Sequence, residues 1–183
     1  MTGVPTTGPL GGAVTPTYAA SLPSDAALIL RRYRTCEFTT FMKDGTPNTW
    51  PLCARWLDDG RFLLTTSIGF PQKAFNIRRN PRVSLSFSDP TGSGVTHPGA
   101  VLVQGRAVCD DRIVTDPSTI PELEAYFRET IFARQPAGKL MSSWLGRRLM
   151  DQYYMRLLIY VTPERVLYWP TRDFTAEPQE LHV

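Results

Sequence analysis

The sequence predicts a mainly β domain in which antiparallel strands form a closed or nearly closed barrel, with a few helices at its periphery. Strand-like segments follow one another with hairpin signals between them, as at Asp44-Gly45 and Asp58-Asp59-Gly60. Residues 82–88 alternate between polar and apolar side chains, which is typical of a strand with one buried face. The sequence shows no regular alternation of strands and helices, which disfavours a parallel, doubly wound sheet.

The length and composition are those of one globular domain. The chain has 183 residues, and we expect a flexible arm at 1–23, a single barrel domain at 24–175 and a polar, irregular tail at 176–183. The arm is rich in Thr, Pro and Gly and has no charged side chain. A net charge of +3 is too small to indicate nucleic-acid binding.

The sequence also indicates where the protein works. No apolar run approaches the roughly 20 residues that a membrane-spanning helix needs, and no signal peptide is recognisable. The three cysteines are odd in number and far apart, which is typical of a reducing compartment. No cluster of His, Cys, Asp or Glu suggests a metal site. We therefore predict a cytoplasmic protein that binds neither a membrane nor a metal.

The elements can be placed in chain order. We expect Ser24 to cap a short helix that ends near Arg34, because apolar residues are followed by cations in its last turn. The further predicted elements are strands at 36–42, 48–57 and 61–67, a helix at 71–79, strands at 82–88 and 100–109, helices at 121–134 and 139–153, and strands at 155–161 and 165–169. Thr162-Pro163-Glu164 is expected to be the turn between the last two strands.

The segment 62–81 is the most informative for function. A strand ends in Thr65-Thr66-Ser67, a turn with Gly69 follows, and Lys73 lies in the first turn of the next helix. Free N–H groups at a helix N-terminus, hydroxyl donors and an ammonium group together suit an anion, above all a phosphate. The same residues also fit a merely structural role, since hydroxyl residues are common in strands and most lysines are solvated at the surface.

The order of these motifs resembles the pyridoxamine 5′-phosphate oxidase superfamily of split-barrel flavin-binding proteins. The resemblance covers roughly residues 24–110, and the strand 165–169 fits its usual end. It is carried by Asp44-Gly45-Thr46-Pro47, the strand through Pro51 to Trp56, Thr65-Thr66-Ser67, Lys73, Asn80-Pro81 and Val101-Leu102-Val103-Gln104-Gly105. It implies a split antiparallel β-barrel with peripheral helices, working as a homodimer with cofactor sites shared between the subunits.

The resemblance implies a role for each matched position. The flavin phosphate would be held by Thr65, Thr66, Ser67 and Lys73, with Gln72 beside them. The backbone of Pro51, Leu52, Cys53 and Ala54 would run along the flavin ring, with Arg55 as a basic residue on the same strand. Trp169 would reach the cofactor site of the partner subunit.

The resemblance also implies the cofactor and the reaction class. The cofactor would be FMN or, alternatively, coenzyme F-420, whose polyglutamate tail would suit Arg78 and its neighbours Arg79 and Arg82. The protein would transfer hydride between this cofactor and a small planar substrate. The C-terminal Arg-x-His of the true oxidase is missing, and Trp169-Pro170-Thr171-Arg172-Asp173 stands in its place. Oxidation of pyridoxamine phosphate itself is therefore not expected.

The sequence assigns no catalytic residue. Tyr153, Tyr154, Tyr160 and Tyr168 are candidates for proton transfer only by their residue type. A non-catalytic flavin, haem or small-ligand binding protein on the same barrel stays the alternative. A haem site would need His97 or His182 as an axial ligand.

Overall fold

The computed structural model describes residues 22–132 and 155–182. In chain order these contain helix α1 (Ser24–Arg32), strands β1 (Cys36–Phe41), β2 (Pro47–Leu52), β3 (Arg55–Trp56) and β4 (Phe62–Ser67), helix α2 (Gln72–Arg79), strands β5 (Arg82–Phe87) and β6 (Ala100–Cys109), a short 3-10 turn (Pro117–Thr119), helix α3 (Pro121–Ala125), a π-helical segment (Tyr126–Phe132), and strands β7 (Arg156–Trp169) and β8 (Gln179–Leu181). The helix predicted at 139–153 and nearly all of the predicted N-terminal arm lie outside the described residues.

The described strands form one eight-stranded antiparallel sheet in the order β2-β1-β5-β6-β7-β4-β3, and β8 pairs with the second half of β7. The edge strands β2 and β3 are consecutive in the sequence, and only Cys53 and Ala54 separate them. Because three peptide units span at most about 11 Å, the two edges of the sheet lie close together. The sheet is therefore curled, and the predicted split antiparallel barrel is confirmed.

Strand β7 corrects the predicted C-terminal hairpin. Thr162-Pro163-Glu164 forms no turn but lies inside one continuous strand, Arg156–Trp169. The pairing of β6 with β7 shifts register between Gln104 and Gly105, so that Gly105 lies opposite Pro163. A β-bulge tolerates proline, which has no N–H to donate to a strand ladder. The apparent turn signal is thus the sequence of a bulge.

Three smaller predictions are also wrong. The strand predicted at 48–57 is interrupted at Cys53 and Ala54. Ser24 is the first helical residue rather than the cap, and Pro23 precedes the helix without a side-chain capping bond. The C-terminal tail was expected to be irregular, but Gln179–Leu181 forms β8, where Glu180 accepts two hydrogen bonds from Arg165.

Alternation along β4 separates two apolar clusters. Phe62 and Leu64 belong to the cluster inside the curled sheet, whereas Leu63 belongs to a second cluster on the other face. This second cluster contains Leu123 of α3 and Tyr126 of the π-helical segment. Helix α3 and the π-helical segment therefore cover the outer face of the sheet beside Cys53. Within the described part of the chain, no helix is long and apolar enough to cross a membrane.

Asn76 fixes α2 to the sheet. Its side chain is fully buried, and its amide donates to the Thr40 hydroxyl of β1 at 2.9 Å. Its carbonyl oxygen accepts from Gln72 at 2.8 Å and from Arg79 at 2.5 Å. Because one side chain satisfies groups on both the helix and the sheet, the start of α2 is held in a defined place.

We expect Asn76→Ala to lower the free energy of unfolding by about 2–3 kcal/mol, because the fully buried Thr40 hydroxyl loses its partner and a small cavity forms. Urea denaturation measures the change. Asn48→Ala, on the partly exposed strand β2, is the matched control and should change stability by less than about 0.5 kcal/mol. Equal effects of the two substitutions would contradict the role of Asn76.

Candidate functional site

Lys73 is a buried cation at the start of α2. Its side chain is only 6% exposed, and its Nζ lies 4.7 Å from the centre of the Trp50 ring on β2. Among the described residues, no carboxylate forms an ion pair with Lys73. Burial lowers the pKa of Lys73, and the positive charge of nearby Arg156 lowers it further. The site thus holds positive charge that an anion would neutralise.

The N-terminus of α2 adds hydrogen-bond donors to this charge. Pro71 occupies the capping position and makes no side-chain capping bond. The first N–H groups of a helix lack partners within the helix and carry partial positive charge. Arg156, at the start of β7, pairs in register with Ser67 at the end of β4. Its guanidinium carbon lies 5.7 Å from the centre of the Phe127 ring.

The three predicted hydroxyls reach the same end of β4, but their environments differ. Thr66 is buried and donates to the Phe70 carbonyl oxygen at 2.9 Å. Thr65 is buried beside Tyr126, with which its side chain interacts. Ser67 is half-buried, and its hydroxyl oxygen accepts from the Gly69 N–H at 3.3 Å. Ser67 is therefore the most accessible of the three, and the two threonines also shape the turn and the strand.

The segment predicted to run along a flavin ring lies at the opening between the sheet edges. Pro51 and Leu52 end β2, Cys53 and Ala54 form the link, and Arg55 begins β3. Cys53 and Ala54 are buried, so this part of the link offers backbone groups rather than reactive side chains. Burial raises the pKa of the neighbouring Cys36 thiol well above its ordinary value, which makes that thiol a poor nucleophile.

Arg55 lines two cavities. It forms an ion pair with Glu129 of the π-helical segment. The smaller cavity, of about 180 Å³, is lined by Leu30, Arg31, Ala54, Arg55, Trp56, Glu129 and Thr130. A second cavity, of about 300 Å³, is lined by Arg55, Trp56, Leu57, Asp58, Asp59 and Glu122. Both cavities lie along the edge strand β3.

Other predicted site residues are engaged elsewhere in the structure. Arg78 forms an ion pair with Asp111 at 2.6 Å, and Gln72 donates to Asn76. The indole of Trp169 donates to the Ala176 carbonyl oxygen at 3.1 Å and packs against Phe174 with ring centres 5.6 Å apart. Trp169 is thus covered in part by its own chain.

A match to a known family identifies the chain. A model described as pyridoxamine 5′-phosphate oxidase matches residues 22–170. The chain belongs to the pyridoxamine 5′-phosphate oxidase family. This confirms the resemblance seen in the sequence motifs. None of the curated protein sequences compared with the chain matches it significantly.

Solved structures of similar fold agree with this family assignment. An F420 reductase is 22% identical, with a TM-score of 0.51 over 79% of this chain and 98% of that one. A conserved hypothetical protein from Mycobacterium tuberculosis is 23% identical, with a TM-score of 0.55 over 90% and 96%. A heme binding protein from Mycobacterium smegmatis is 14% identical, with a TM-score of 0.51 over 93% and 59%. At these identities the likeness shows the fold alone.

The sequence did not indicate three residues that the structure places at the candidate site, namely Trp50, Tyr126 and Arg156. Trp50 meets Lys73 only because β2 pairs with β1 beside α2. Tyr126 lies about 60 residues beyond β4, and only tertiary packing shows that it is 2% exposed there. The proton-transfer candidates gain no support from the described part: the hydroxyl of Tyr160 donates to Glu122 at 3.3 Å, and Tyr153 and Tyr154 lie outside it.

Proposed function

We propose that the protein binds FMN and works as an oxidoreductase that transfers hydride to or from a small planar substrate. The observation that carries this proposal is the buried Lys73, for which the described residues supply no carboxylate partner. A buried charge without a counter-ion is costly. A phosphate at the start of α2 would offset this cost, and members of the family bind flavin-type cofactors.

The residues present fit the cofactor. Lys73, the Ser67 hydroxyl and the first N–H groups of α2 would hold the phosphate, and Arg156 would add positive charge. The backbone from Pro51 to Arg55 would lie along the polar edge of the flavin ring. The bound flavin supplies the hydride chemistry, and the protein orients the ring and excludes water from it.

We propose FMN rather than coenzyme F-420 because the arginines predicted to bind the tail of coenzyme F-420 are mostly engaged in other contacts. The polyglutamate tail of coenzyme F-420 would need free cations beyond the phosphate. Arg78 is already paired with Asp111, and Arg79 donates to Asn76 at 2.5 Å. Only Arg82 of the predicted cluster makes no side-chain bond among the described residues. A tail would have to displace existing contacts, whereas a single phosphate needs only Lys73 and its neighbours.

We further propose that the site is completed in a homodimer. A flavin ring needs apolar cover on both faces. Phe70 and Phe75, which flank Lys73 in the sequence, are 75% and 51% exposed. A second copy that covers these rings would bury apolar surface and close the ring site at the same time. Sedimentation of the protein with and without FMN measures the oligomeric state.

The proposed function is tested by absorbance titration of the purified protein with FMN and with coenzyme F-420. We expect saturable binding of FMN with a shift of its visible bands, and weaker binding of coenzyme F-420. Turnover of reduced nicotinamide with a quinone or dye acceptor then separates an enzyme from a flavin carrier. Absence of binding to either cofactor would refute the proposal, and binding without any turnover would support the non-catalytic alternative.

A further inference from the structure

The hydroxyl of Tyr126 connects the two segments that the proposed function assigns to the cofactor. It donates a hydrogen bond of 3.0 Å to the carbonyl oxygen of Cys53, in the link between β2 and β3. Its side chain also interacts with that of Thr65 near the end of β4. Burial in the outer apolar cluster raises the pKa of this phenol, so Tyr126 stays neutral and keeps its proton for the Cys53 carbonyl.

The bond to Cys53 also determines the direction of the next amide. No described peptide bond is cis, and in a trans peptide the C=O and the following N–H point to opposite sides. Because the Cys53 carbonyl points to Tyr126, the Ala54 N–H points away from it. Ala54 is 3% exposed, and none of the described residues accepts a hydrogen bond from its N–H.

A buried N–H group without an acceptor is rare in native proteins, because it loses its bond to water and gains nothing in return. Ala54 also lines the cavity of about 180 Å³ beside Arg55. A bound molecule with an acceptor oxygen at this position would satisfy the group. The flavin ring carries such oxygens on its pyrimidine portion, which is common to FMN, riboflavin and the deazaflavin.

We infer that Tyr126 is a positioning residue, which holds the Cys53 carbonyl and thereby presents the Ala54 N–H to a carbonyl oxygen of the flavin ring. This inference rests on the proposed function, and it assigns the ring contact separately from the phosphate contact at Lys73. Ala54 lies in the link between β2 and β3, whereas Lys73 lies at the start of α2. Tyr126 therefore acts on the ring through the backbone and does not touch the phosphate.

The test compares Tyr126→Phe with wild type in the vibrational spectrum of bound FMN. Loss of the hydrogen bond from Ala54 is expected to move a flavin carbonyl stretching band to higher frequency. Affinity for riboflavin, which has the ring but no phosphate, should fall about three- to tenfold, the scale of one neutral hydrogen bond. Tyr160→Phe, which removes a hydroxyl bonded to Glu122, is the control and should leave both unchanged.

An unchanged carbonyl band in Tyr126→Phe, with FMN still bound, would overturn the inference and leave the proposed function intact. Failure of the wild type to bind FMN or riboflavin would overturn both. Amide hydrogen exchange of Ala54 in the wild type gives a second measurement, which does not depend on how the variant folds. Binding of FMN should slow exchange at Ala54, and an unchanged rate would also overturn the inference.

Discussion

Lys73→Met is expected to weaken FMN binding roughly 10- to 150-fold, the equivalent of about 1.5–3 kcal/mol for a hydrogen bond to a charged group. The loss should be large because Lys73 is buried and because the described residues offer no second lysine at this site. Fluorescence titration of FMN measures the dissociation constant. Lys43→Met, in the exposed turn between β1 and β2, is the matched control and should bind FMN like the wild type.

The same substitution should stabilise the protein when no cofactor is bound. Methionine has a similar length but carries no charge, so the cost of burying the ammonium disappears. We expect the free energy of unfolding to rise by about 1 kcal/mol at neutral pH, part of the gain being offset by the lost contact with Trp50. A variant that is both less stable and weaker in binding would show that Lys73 has a structural role.

The pH dependence of stability gives an independent check on the charge of Lys73. Burial lowers its pKa in the folded state below the ordinary value of 10.5, so the unfolded state binds the proton more tightly. The penalty is therefore complete below the folded-state pKa and disappears as the pH rises to 10.5. The stability difference between Lys73→Met and the wild type should be largest at neutral pH and become smaller toward pH 10.5.

Gly105→Ala is expected to destabilise the protein by about 3 kcal/mol, at the upper end of the usual cost of overpacking. A Cβ at this position would lie 2.2 Å from the carbonyl oxygen of Thr162 and 3.1 Å from the Cα of Pro163. Both atoms belong to the backbone of β7, which cannot move without disturbing its pairing with β6. Urea denaturation measures the loss.

Gly69→Ala is the matched control for this prediction. A Cβ on Gly69 would have only the Ser67 hydroxyl oxygen within 4 Å, at 3.8 Å, and the backbone there is not left-handed. Its effect on stability should stay within about 0.5 kcal/mol. If Gly105→Ala were equally mild, the bulge between β6 and β7 would not be as tight as described.

The sequence predicted the order of the strands and helices along the chain better than it predicted how these elements pair and pack. The alternation at 82–88 and the Asp-Gly turns correctly predicted strands β4 and β5 and the hairpin of β1 with β2. The turn at Pro163 was wrongly predicted because proline occurs both in turns and in β-bulges. Here a bulge forms because Pro163 pairs with Gly105, which lies 58 positions earlier in the chain. Contacts between distant segments decide whether such a proline lies in a turn or in a bulge, and a local sequence pattern does not show these contacts.

The candidate site was predictable to a similar degree. The sequence placed Ser67 and Lys73 on either side of a strand-to-helix turn, and the structure agrees. It did not show that Lys73 is buried against Trp50, nor that Thr65 lies beside Tyr126. Burial depends on how α2 and the π-helical segment pack against the sheet. The site roles of these residues stay predictions that binding measurements must test.

The most direct test of the central claim, that Lys73 binds the phosphate of a flavin, compares FMN with riboflavin on the wild type and on Lys73→Met. The two ligands differ only in the phosphate, so the ratio of their dissociation constants isolates its contribution. We predict that the wild type prefers FMN by at least the roughly 10- to 150-fold expected for the Lys73 contact and that Lys73→Met lowers this preference by a factor of that size. An equal preference for FMN in both proteins would contradict the account, because the phosphate would then be bound elsewhere.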